Sequence, residues 1–247
     1  PDEIPIILKK IKDSNSILIN GFAITFNPGI DIIFDYENLH PHHSNAILFR
    51  IIDNSENNIL GKVYYSVGGG FVVSEEESKL YGKTIQEKIP YNFSSADELL
   101  NLCRTNQLTI KNLVKENEKT IHQGVEIGKK LDWIWNAMDG CINRGLKNQL
   151  NLPGELHIKR RAPLLYKSLK KDSKNDPLKV MDWVNTWAIA VNEENAGGGR
   201  IVTAPTNGAA GIIPAVIKYY IEFIVGSTLD GIHNFLLTAG AIGILYK

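Results

Sequence analysis

Residues 192–216 combine carboxylate, amide and hydroxyl groups with glycine-rich backbone, in the string NEENAGGGRIVTAPTNGAAGIIPAV. The polar residues that could do chemistry there are Glu193, Asn195, Thr206 and Asn207. Glycine lets another group approach the backbone without a Cβ in the way. The glycines at 197–199, followed by Gly208 in a Pro-Thr-Asn-Gly corner, would expose amide N–H groups beside a helix start. Such a corner suits an anion, including a carboxylate.

The same segment has a second interpretation, in which it is a tight connection between two helices and its glycines only allow close packing. The string NEEN weighs against that interpretation, because carboxylates at a helix C-terminus oppose the helix dipole. Nucleotide binding is disfavoured, since neither a G-x-x-x-x-G-K-[ST] string nor a G-x-G-x-x-G string after a strand is present. The residues alone therefore leave close packing and anion binding open.

Three further groups of residues could bind a metal or an anion. Cys103 and Cys141 lie in helical patterns among apolar neighbours, which is typical of buried free thiols. HPHHSNA at 40–46 contains three histidines but no carboxylate or cysteine at a familiar ligand spacing, so it favours a surface turn. KRRA at 159–162 is either a solvated face or an anchor for a carboxylate, and we favour the solvated face. We predict no metal ligand in the chain.

The residues before about 75 form short β-branched and aromatic runs bounded by Asn, Gly, Pro and Asp, which predict a small sheet preceded by a short helix. The helix is IPIILKKIKD, and the strand candidates are GFAITFN, DIIFDY, NAILFRIID and GKVYYSVGGGFVV.

Helical patterns dominate beyond residue 90. They include SSADELLNLCRTN with a Ser cap, a long helical pattern at 109–146, a helix opened by Asp176-Pro177, another near Pro214, and a last one from about Asp230. We therefore predict an α+β protein, in which a small α/β unit at 1–80 precedes a mostly α-helical unit at 90–247. The acidic, Lys-rich stretch at 74–90 is the candidate linker.

The composition excludes several kinds of partner. Lys plus Arg and Asp plus Glu number 27 each, so no basic field attracts nucleic acid. No apolar run reaches the length of about 18 residues that a membrane helix needs. Two cysteines fit a reducing compartment, and we expect a cytoplasmic protein. The chain opens without Met and closes on AGAIGILYK without a helix cap, so we expect a fragment of a longer polypeptide.

Several long strings, in the same order, resemble the bacterial iron–sulfur-dependent L-serine dehydratases, also called L-serine ammonia-lyases. They are YYSVGGGFV at 64–72, IPYNFSSADELLNLC at 89–103, LPGELHIKRRA at 152–162, MDWVNTWAIAVNEEN at 181–195 with the following glycine segment, and TAGAIGILYK at 238–247.

The resemblance implies that 1–80 is the C-terminal part of a small α/β domain and that 90–247 is the N-terminal part of an all-α catalytic domain. It also implies a β-elimination of water from L-serine that gives pyruvate and ammonia. It implies a [4Fe-4S] cluster, held by three cysteines, whose open iron acts as a Lewis acid. We expect Thr206, Asn207 and Gly208 to contact the substrate. Glu193 and Asn195 are the candidate catalytic residues, as supporting or proton-handling groups. The resemblance to this family also implies that a homodimer is possible.

Parts of the family pattern are absent from these residues. The cluster cysteines of the family follow a segment that corresponds to LYK at 245–247, so we expect the ligands beyond the C-terminal end. The Ser-Ser-Ser-His-Thr and Gly-Lys-Gly-His segments are also missing. In the family string His-x-Asn-Gly-Met, His43 and Asn45 match, whereas Ala46 and Ile47 depart from it. We expect the 247 residues alone to bind no cluster and to be inactive.

Two alternatives to the iron–sulfur enzyme remain. One is an ammonia-lyase that uses pyridoxal phosphate, although no S-x-K-x-R-type lysine motif lies near a phosphate-binding loop. The other is a non-catalytic module that binds an amino acid or regulates a partner, which the incomplete catalytic set would explain.

Overall fold

The computed structural model describes residues 3–53, 55, 57–68, 70–79, 89–172, 176–204 and 207–246. The chain divides into two compact units, Pro1–Tyr81 and Gly82–Lys247. Small antiparallel sheets characterise the first unit, and the described residues of the second fold into helices. The α+β class that the sequence predicts is confirmed.

Among its described residues, the first unit contains two antiparallel sheets, β1-β2 and β3-β4-β5, together with three helices. In chain order its elements are α1 (Ile4–Ser14), β1 (Ser16–Ile19), β2 (Phe22–Thr25), α2 (Pro28–Asp31), β3 (Ala46–Ile52), β4 (Asn58–Gly68), β5 (Phe71–Ser74) and α3 (Glu75–Ser78). Gly68 and Gly70 have φ angles of +95° and +82° and lie at the β4-β5 turn. Positive φ angles favour glycine there, so the run of glycines in the sequence marks a hairpin.

The prediction of a strand over DIIFDY at 31–36 is wrong. Residue 31 ends α2, and residues 32–36 join no strand. Asn27 caps α2 by accepting a hydrogen bond from the Gly29 amide at 3.0 Å, and Pro28 occupies the first helical turn. An Asn-Pro start favours a helical turn over the extended conformation that the following β-branched residues suggest.

Among the described residues of the first unit, Tyr65 has the most deeply buried side chain. Its side chain is 1% exposed, and the rings of His40, His42 and His43 surround it at centroid distances of 5.2, 6.4 and 6.3 Å. The histidine segment thus forms a turn over this tyrosine, where His43 Nδ1 accepts a hydrogen bond from the Asn45 amide at 3.0 Å. The residues of β3 are exposed.

The second unit is built from seven α-helices and one short 3-10 helix within the described residues. They are α4 (Ala96–Thr105), α5 (Ile110–Ile121), α6 (Ile127–Gly145), α7 (Ala162–Lys171), α8 (Lys179–Ala196), the 3-10 helix Asn207–Gly211, α9 (Ile212–Phe223) and α10 (Leu229–Ile244). The predicted Ser cap of α4 is confirmed, since Ser95 Oγ accepts a hydrogen bond from the Glu98 amide. None of the described helices combines the length and apolar character that crossing a membrane requires.

Two helix boundaries differ from the prediction. The pattern at 109–146 forms two helices, because the chain turns after α5 and passes through Gly124 at a φ of +77°. α8 begins at Lys179, after Asp176-Pro177. The Asp176 carboxylate accepts a hydrogen bond from the Leu178 amide at 2.8 Å, so it stabilises a turn that precedes the helix.

Helix α6 contributes to three apolar clusters of the helical unit. Cys141, Ile142 and Leu146, just past its end, pack with Trp187, Ala190 and Val191 of α8. Ile127 and Leu131 pack with α4, α5 and α10, whereas Trp135 and Met138 pack with Ile217 and Ile232. Trp133 differs from the prediction that the tryptophans are core or packing residues, because it is 65% exposed.

Candidate functional site

The candidate site is organised by a close approach of α6 to α8. Gly145, the last residue of α6, lies against Ala190 of α8, and a Cβ on this glycine would overlap the Ala190 carbonyl oxygen. Only glycine allows this separation of the two helices. The approach brings Arg144, the neighbour of Gly145, next to Glu194 on the following turn of α8.

Glu194 is buried and lies between two arginines. Its Oε1 accepts a hydrogen bond from Arg160 Nη1 at 2.9 Å, and its Oε2 accepts one from Arg144 Nε at 3.1 Å. The exposed fractions of the Glu194 and Arg160 side chains are 5% and 4%. The solvated face expected for KRRA is therefore wrong for Arg160, because a buried carboxylate requires a nearby cation.

Glu193 is also buried, and its carboxylate binds the N-terminus of α7. Oε1 accepts a hydrogen bond from the Arg161 amide at 2.7 Å, and Oε2 accepts one from the Ala162 amide at 3.2 Å. A negative charge at these free amides is favourable, because the N-terminus of a helix carries partial positive charge. The acidic pair at the end of α8 is thus balanced by the start of α7 and by the guanidinium groups of Arg144, Arg160 and Arg161.

The amides of the glycines at 197–199 are used to end α8. Gly197 donates to the Glu193 carbonyl at 3.0 Å, Gly198 to the Asn195 carbonyl at 3.1 Å, and Gly199 to the Glu194 carbonyl at 2.7 Å. The expectation that these amides are exposed to an anion is wrong, because orphan carbonyls at a helix end are themselves strong acceptors.

The glycines are required here by the ion pairs beside them. A Cβ on Gly197 would overlap Arg160 Nη2, and a Cβ on Gly199 would lie 2.6 Å from Glu194 Oε2. The Gly198 φ of +74° completes the left-handed turn that ends the helix. Close packing therefore explains Gly197 and Gly199, whereas Gly198, whose Cβ would meet nothing within 4 Å, is explained by its positive φ.

The second half of the predicted site lies at the 3-10 helix Asn207–Gly211. Thr206 and the side chain of Asn207 lie outside what the structure describes. Gly208 is exposed, and a Cβ built on it meets none of the described atoms within 4 Å. At the other end of this helix, a Cβ on Gly211 would lie 2.7 Å from the Ala188 carbonyl oxygen of α8. Packing against α8 therefore anchors one end, while the backbone at Gly208 stays open.

The structure brings some of the predicted site residues to one helix. Glu193 and half-buried Asn195 occupy the last turn of α8, and the 3-10 helix that contains Gly208 packs on the same helix. The sequence does not identify Arg144 as a member of this region, and for Arg160 it favours the solvated face over the carboxylate anchor. The signal for them was present in the sequence, since two consecutive acidic residues at the end of an apolar helix need buried cations.

The two cysteines do not fit as ligands of an iron–sulfur cluster. Cys103 lies on α4 and Cys141 on α6, and they belong to different apolar clusters. Burial raises the pKa of the Cys141 thiol to about 11, whereas cluster ligands are thiolates. Across the described ranges, no three His, Cys, Asp or Glu side chains are grouped so that they could hold a metal ion.

Comparison with known proteins gives two family matches and several close relatives. The model of the serine dehydratase beta chain matches residues 1–77, and that of the serine dehydratase alpha chain matches residues 105–247. The L-serine dehydratase of Streptomyces coelicolor is 42% identical over 243 residues, which cover 97% of this chain and 53% of the relative. L-serine dehydratase TdcG of Escherichia coli is 42% identical over 250 residues, which cover 100% of this chain and 54% of the relative. The chain thus spans about half the length of the curated relatives it matches.

Proposed function

The chain belongs to the serine dehydratase family, and we propose that its protein is an L-serine ammonia-lyase that eliminates water from L-serine. A base takes the proton from Cα, the bond from Cβ to the hydroxyl oxygen breaks, and the departing hydroxide takes up a proton and leaves as water. The resulting enamine tautomerises to an imine, which a second water hydrolyses to pyruvate and ammonia. The similarity to proteins named L-serine dehydratase, over nearly the whole chain, supports this reaction.

The open backbone at Gly208 is the structural observation that carries the proposal. A helix start with free amides attracts a carboxylate, and the absence of a Cβ lets the ligand approach closely. We propose that the carboxylate of serine binds to the backbone at Asn207 and Gly208, with the Thr206 hydroxyl as a further donor. Because Gly211 packs on α8, this contact surface has a fixed support.

We propose supporting roles for Glu193 and Asn195. Both oxygens of Glu193 accept amides of the α7 start, which favours a supporting role over proton transfer for this carboxylate. Asn195 lies one residue beyond the buried Glu194, and its carbonyl accepts the Gly198 amide. Its amide side chain is the more accessible polar group of the pair, since Asn195 is half-buried.

The resemblance to iron–sulfur enzymes makes a [4Fe-4S] cluster part of the proposal. Neither cysteine of this chain fits as its ligand, so we assign no cluster contact to these residues. We also propose a cytoplasmic location, which the small number of cysteines supports, and a homodimer, which only the family resemblance supports.

The decisive experiment uses the complete gene product, purified without oxygen. We expect it to release pyruvate and ammonia from L-serine and to contain iron and sulfide. Absence of pyruvate would contradict the lyase, and serine binding without pyruvate release would point to a binding or regulatory module. If the protein contains no iron and shows an absorbance band at the edge of the visible range that shifts when serine is added, the cofactor is pyridoxal phosphate instead.

A further inference from the structure

We propose that the histidine turn, residues 40–45 of the first unit, is a proton-sensitive cover over Tyr65. The turn closes when its imidazoles are neutral and opens when they take up protons. This inference goes beyond the proposed reaction and does not depend on it, because it concerns contacts within the first unit alone. It gives a role to the string HPHHSNA, which the proposed function leaves without one.

A single hydrogen bond fixes the protonation state of His43. The Asn45 amide donates to His43 Nδ1 at 3.0 Å, and the Asn45 carbonyl accepts the Ser66 amide of β4 at 3.0 Å. A backbone N–H can only donate, so Nδ1 must offer a lone pair. An imidazolium carries a hydrogen on both ring nitrogens and has no lone pair to offer. The link from the ring through Asn45 to the sheet therefore exists only while His43 is neutral.

His40 makes longer contacts of the same kind. Its Nδ1 lies 3.5 Å from the amide nitrogen of His42, which again can only donate, and 3.3 Å from the hydroxyl oxygen of Tyr65. Burial and, to a smaller degree, the charge of Glu75 raise the pKa of Tyr65, so its hydroxyl keeps the proton that it can donate. A proton on Nδ1 of His40 would compete with both donors. Acid therefore acts on this ring in the same direction as on His43.

The closed turn places the three rings close to one another and to the tyrosine. Tyr65 is 1% exposed, while His40 and His43 are half-buried and His42 is exposed. The ring centroids of His40 and His42 lie 5.8 Å apart, so positive charges on both rings would repel each other. A cation over an aromatic ring is favourable in itself, but it cannot replace the acceptors that the turn loses.

The elements that pack on Tyr65 supply few other charges to this place. On the neighbouring strands, Tyr65 is paired with Ala46 of β3 and with Val73 of β5, and neither side chain can carry a charge. Among the described residues, Glu75 of α3 is the charged group that acts on Tyr65, and Lys79 pairs with it at 3.8 Å. Protonation of the imidazoles therefore decides how the charge over Tyr65 changes in mild acid.

The size of the response follows from proton binding. An imidazole in water takes up its proton at about pH 6.5. The open turn can bind a proton at His43 that the closed turn excludes, so acid shifts the balance toward the open turn. For one such ring, the ratio of open to closed turns should rise about tenfold from about pH 7.5 to about pH 5.5.

The test measures the turn in the complete gene product at these two pH values. Hydroxyl-radical footprinting with mass spectrometry reports the exposure of Tyr65, and Tyr36, which is 88% exposed, is the internal reference. Hydrogen exchange, corrected for the pH dependence of intrinsic exchange, reports the protection of the Asn45 amide. Exchange of protected amides follows the population of open states.

Three variants separate the proton from the hydrogen bond. His43→Asn removes the titratable ring but keeps an acceptor, because an asparagine oxygen accepts the amide two residues on in an Asx turn. His43→Ala removes the acceptor. His157→Asn is the matched control, since His157 is an exposed histidine of the second unit whose φ of +47° asparagine also adopts.

In wild type and in His157→Asn, we expect oxidation of Tyr65, relative to Tyr36, and exchange of the Asn45 amide to rise about tenfold in acid. His43→Asn should show a smaller rise, because only His40 still responds to the proton. His43→Ala should show fast exchange of the Asn45 amide at both pH values.

Equal protection of the Asn45 amide at both pH values in wild type would overturn the inference. So would an unreduced response in His43→Asn, or the loss of the response in His157→Asn. An equal acceleration of exchange throughout β4 and β5 would also overturn it, because acid would then unfold the whole sheet. If His43→Asn does not fold, His40→Asn, which keeps an acceptor in the same way, supplies the decision.

Discussion

Arg160 and Glu194 form an ion pair from which water is almost wholly excluded, with Nη1 2.9 Å from Oε1 and exposed fractions of 4% and 5% for the two side chains. Arg160 precedes α7, whereas Glu194 lies on α8, and packing brings the two residues together. Such a pair contributes little when complete, but the loss of one partner leaves an uncompensated charge in the interior.

Replacement of Glu194 with Gln should lower the free energy of unfolding by about 3–5 kcal/mol, the range measured when one partner of a buried pair is removed. Denaturant unfolding followed by circular dichroism measures the change. Glu116→Gln is the control, because the pair of Glu116 with Lys119 is exposed, and it should change the free energy by at most about 1 kcal/mol. Equal effects of the two variants would contradict the importance of burial.

Glu193→Ala should destabilise the protein by about 1–2 kcal/mol, because the first amides of α7 lose their acceptor. Glu193→Gln keeps a carbonyl oxygen that can accept one amide, so the loss should be smaller. Thermal unfolding and pyruvate release are measured on both variants. If Glu193→Ala is as stable as wild type yet inactive, the carboxylate acts in proton transfer and not in support.

Gly208→Ala should weaken serine binding on the order of tenfold, as expected when a close contact with the backbone is blocked. The stability should change by less than about 1 kcal/mol, because the added Cβ meets no described atom within 4 Å. Calorimetry measures the affinity for L-serine, and denaturant unfolding measures the stability. Gly240→Ala, in the equally open environment of exposed α10 backbone, should leave serine binding unchanged. Normal serine affinity in Gly208→Ala would remove this glycine from the substrate site.

Cys141 should resist alkylation in the folded protein, while the partly exposed Cys103 reacts first. Burial raises the pKa of the Cys141 thiol to about 11, so the reactive thiolate is scarce at neutral pH. Mass spectrometry after iodoacetamide treatment, with and without denaturant, distinguishes the two sites. Labelling of Cys141 as fast as that of Cys103 in the folded state would contradict the buried thiol.

The raised pKa of the Cys141 thiol also predicts a loss of stability at alkaline pH. An unfolded thiol loses its proton from about pH 8.5, whereas folded Cys141 keeps it until about pH 11. Between these two pH values the folded state binds more protons than the unfolded state. The contribution of Cys141 to stability is therefore fully present below the pKa of the unfolded thiol and decreases as the pH rises above it. Unfolding free energies measured from pH 7 to 10 should fall less in Cys141→Ala than in wild type. If the unfolding free energies of the two proteins change in parallel with pH, the pKa of Cys141 does not account for the loss of stability.

The sequence predicts local features of this fold better than contacts between distant residues. Ser95 before an acidic turn identifies the start of α4, and the period of apolar residues identifies α8, because both signals are local. The break at Gly124 was missed because a single glycine also occurs inside helices. DIIFDY resembles a strand in composition, yet residues 32–36 find no pairing partner.

The candidate site shows the same limit more sharply. The sequence identifies Gly208 as open backbone, but gives the glycines at 197–199 the same meaning. Their amides are occupied by the end of α8, and the lack of a Cβ at Gly197 and Gly199 accommodates Arg160 and Glu194. Those contacts depend on how α6, α7 and α8 pack, which residue spacing along one segment cannot reveal. Thr206 stays a prediction from the sequence.

Helix α6, whose side chains enter three separate apolar clusters, is the element that all three clusters share, whereas α9 and α10 each contribute to two of them. Since each cluster packs on the same helix, one cannot open without removing part of the support of the other two. The helical unit should therefore melt as a single cooperative block. A destabilising substitution near Ile127, at one end of α6, should therefore also weaken the packing near Arg144 at the other end.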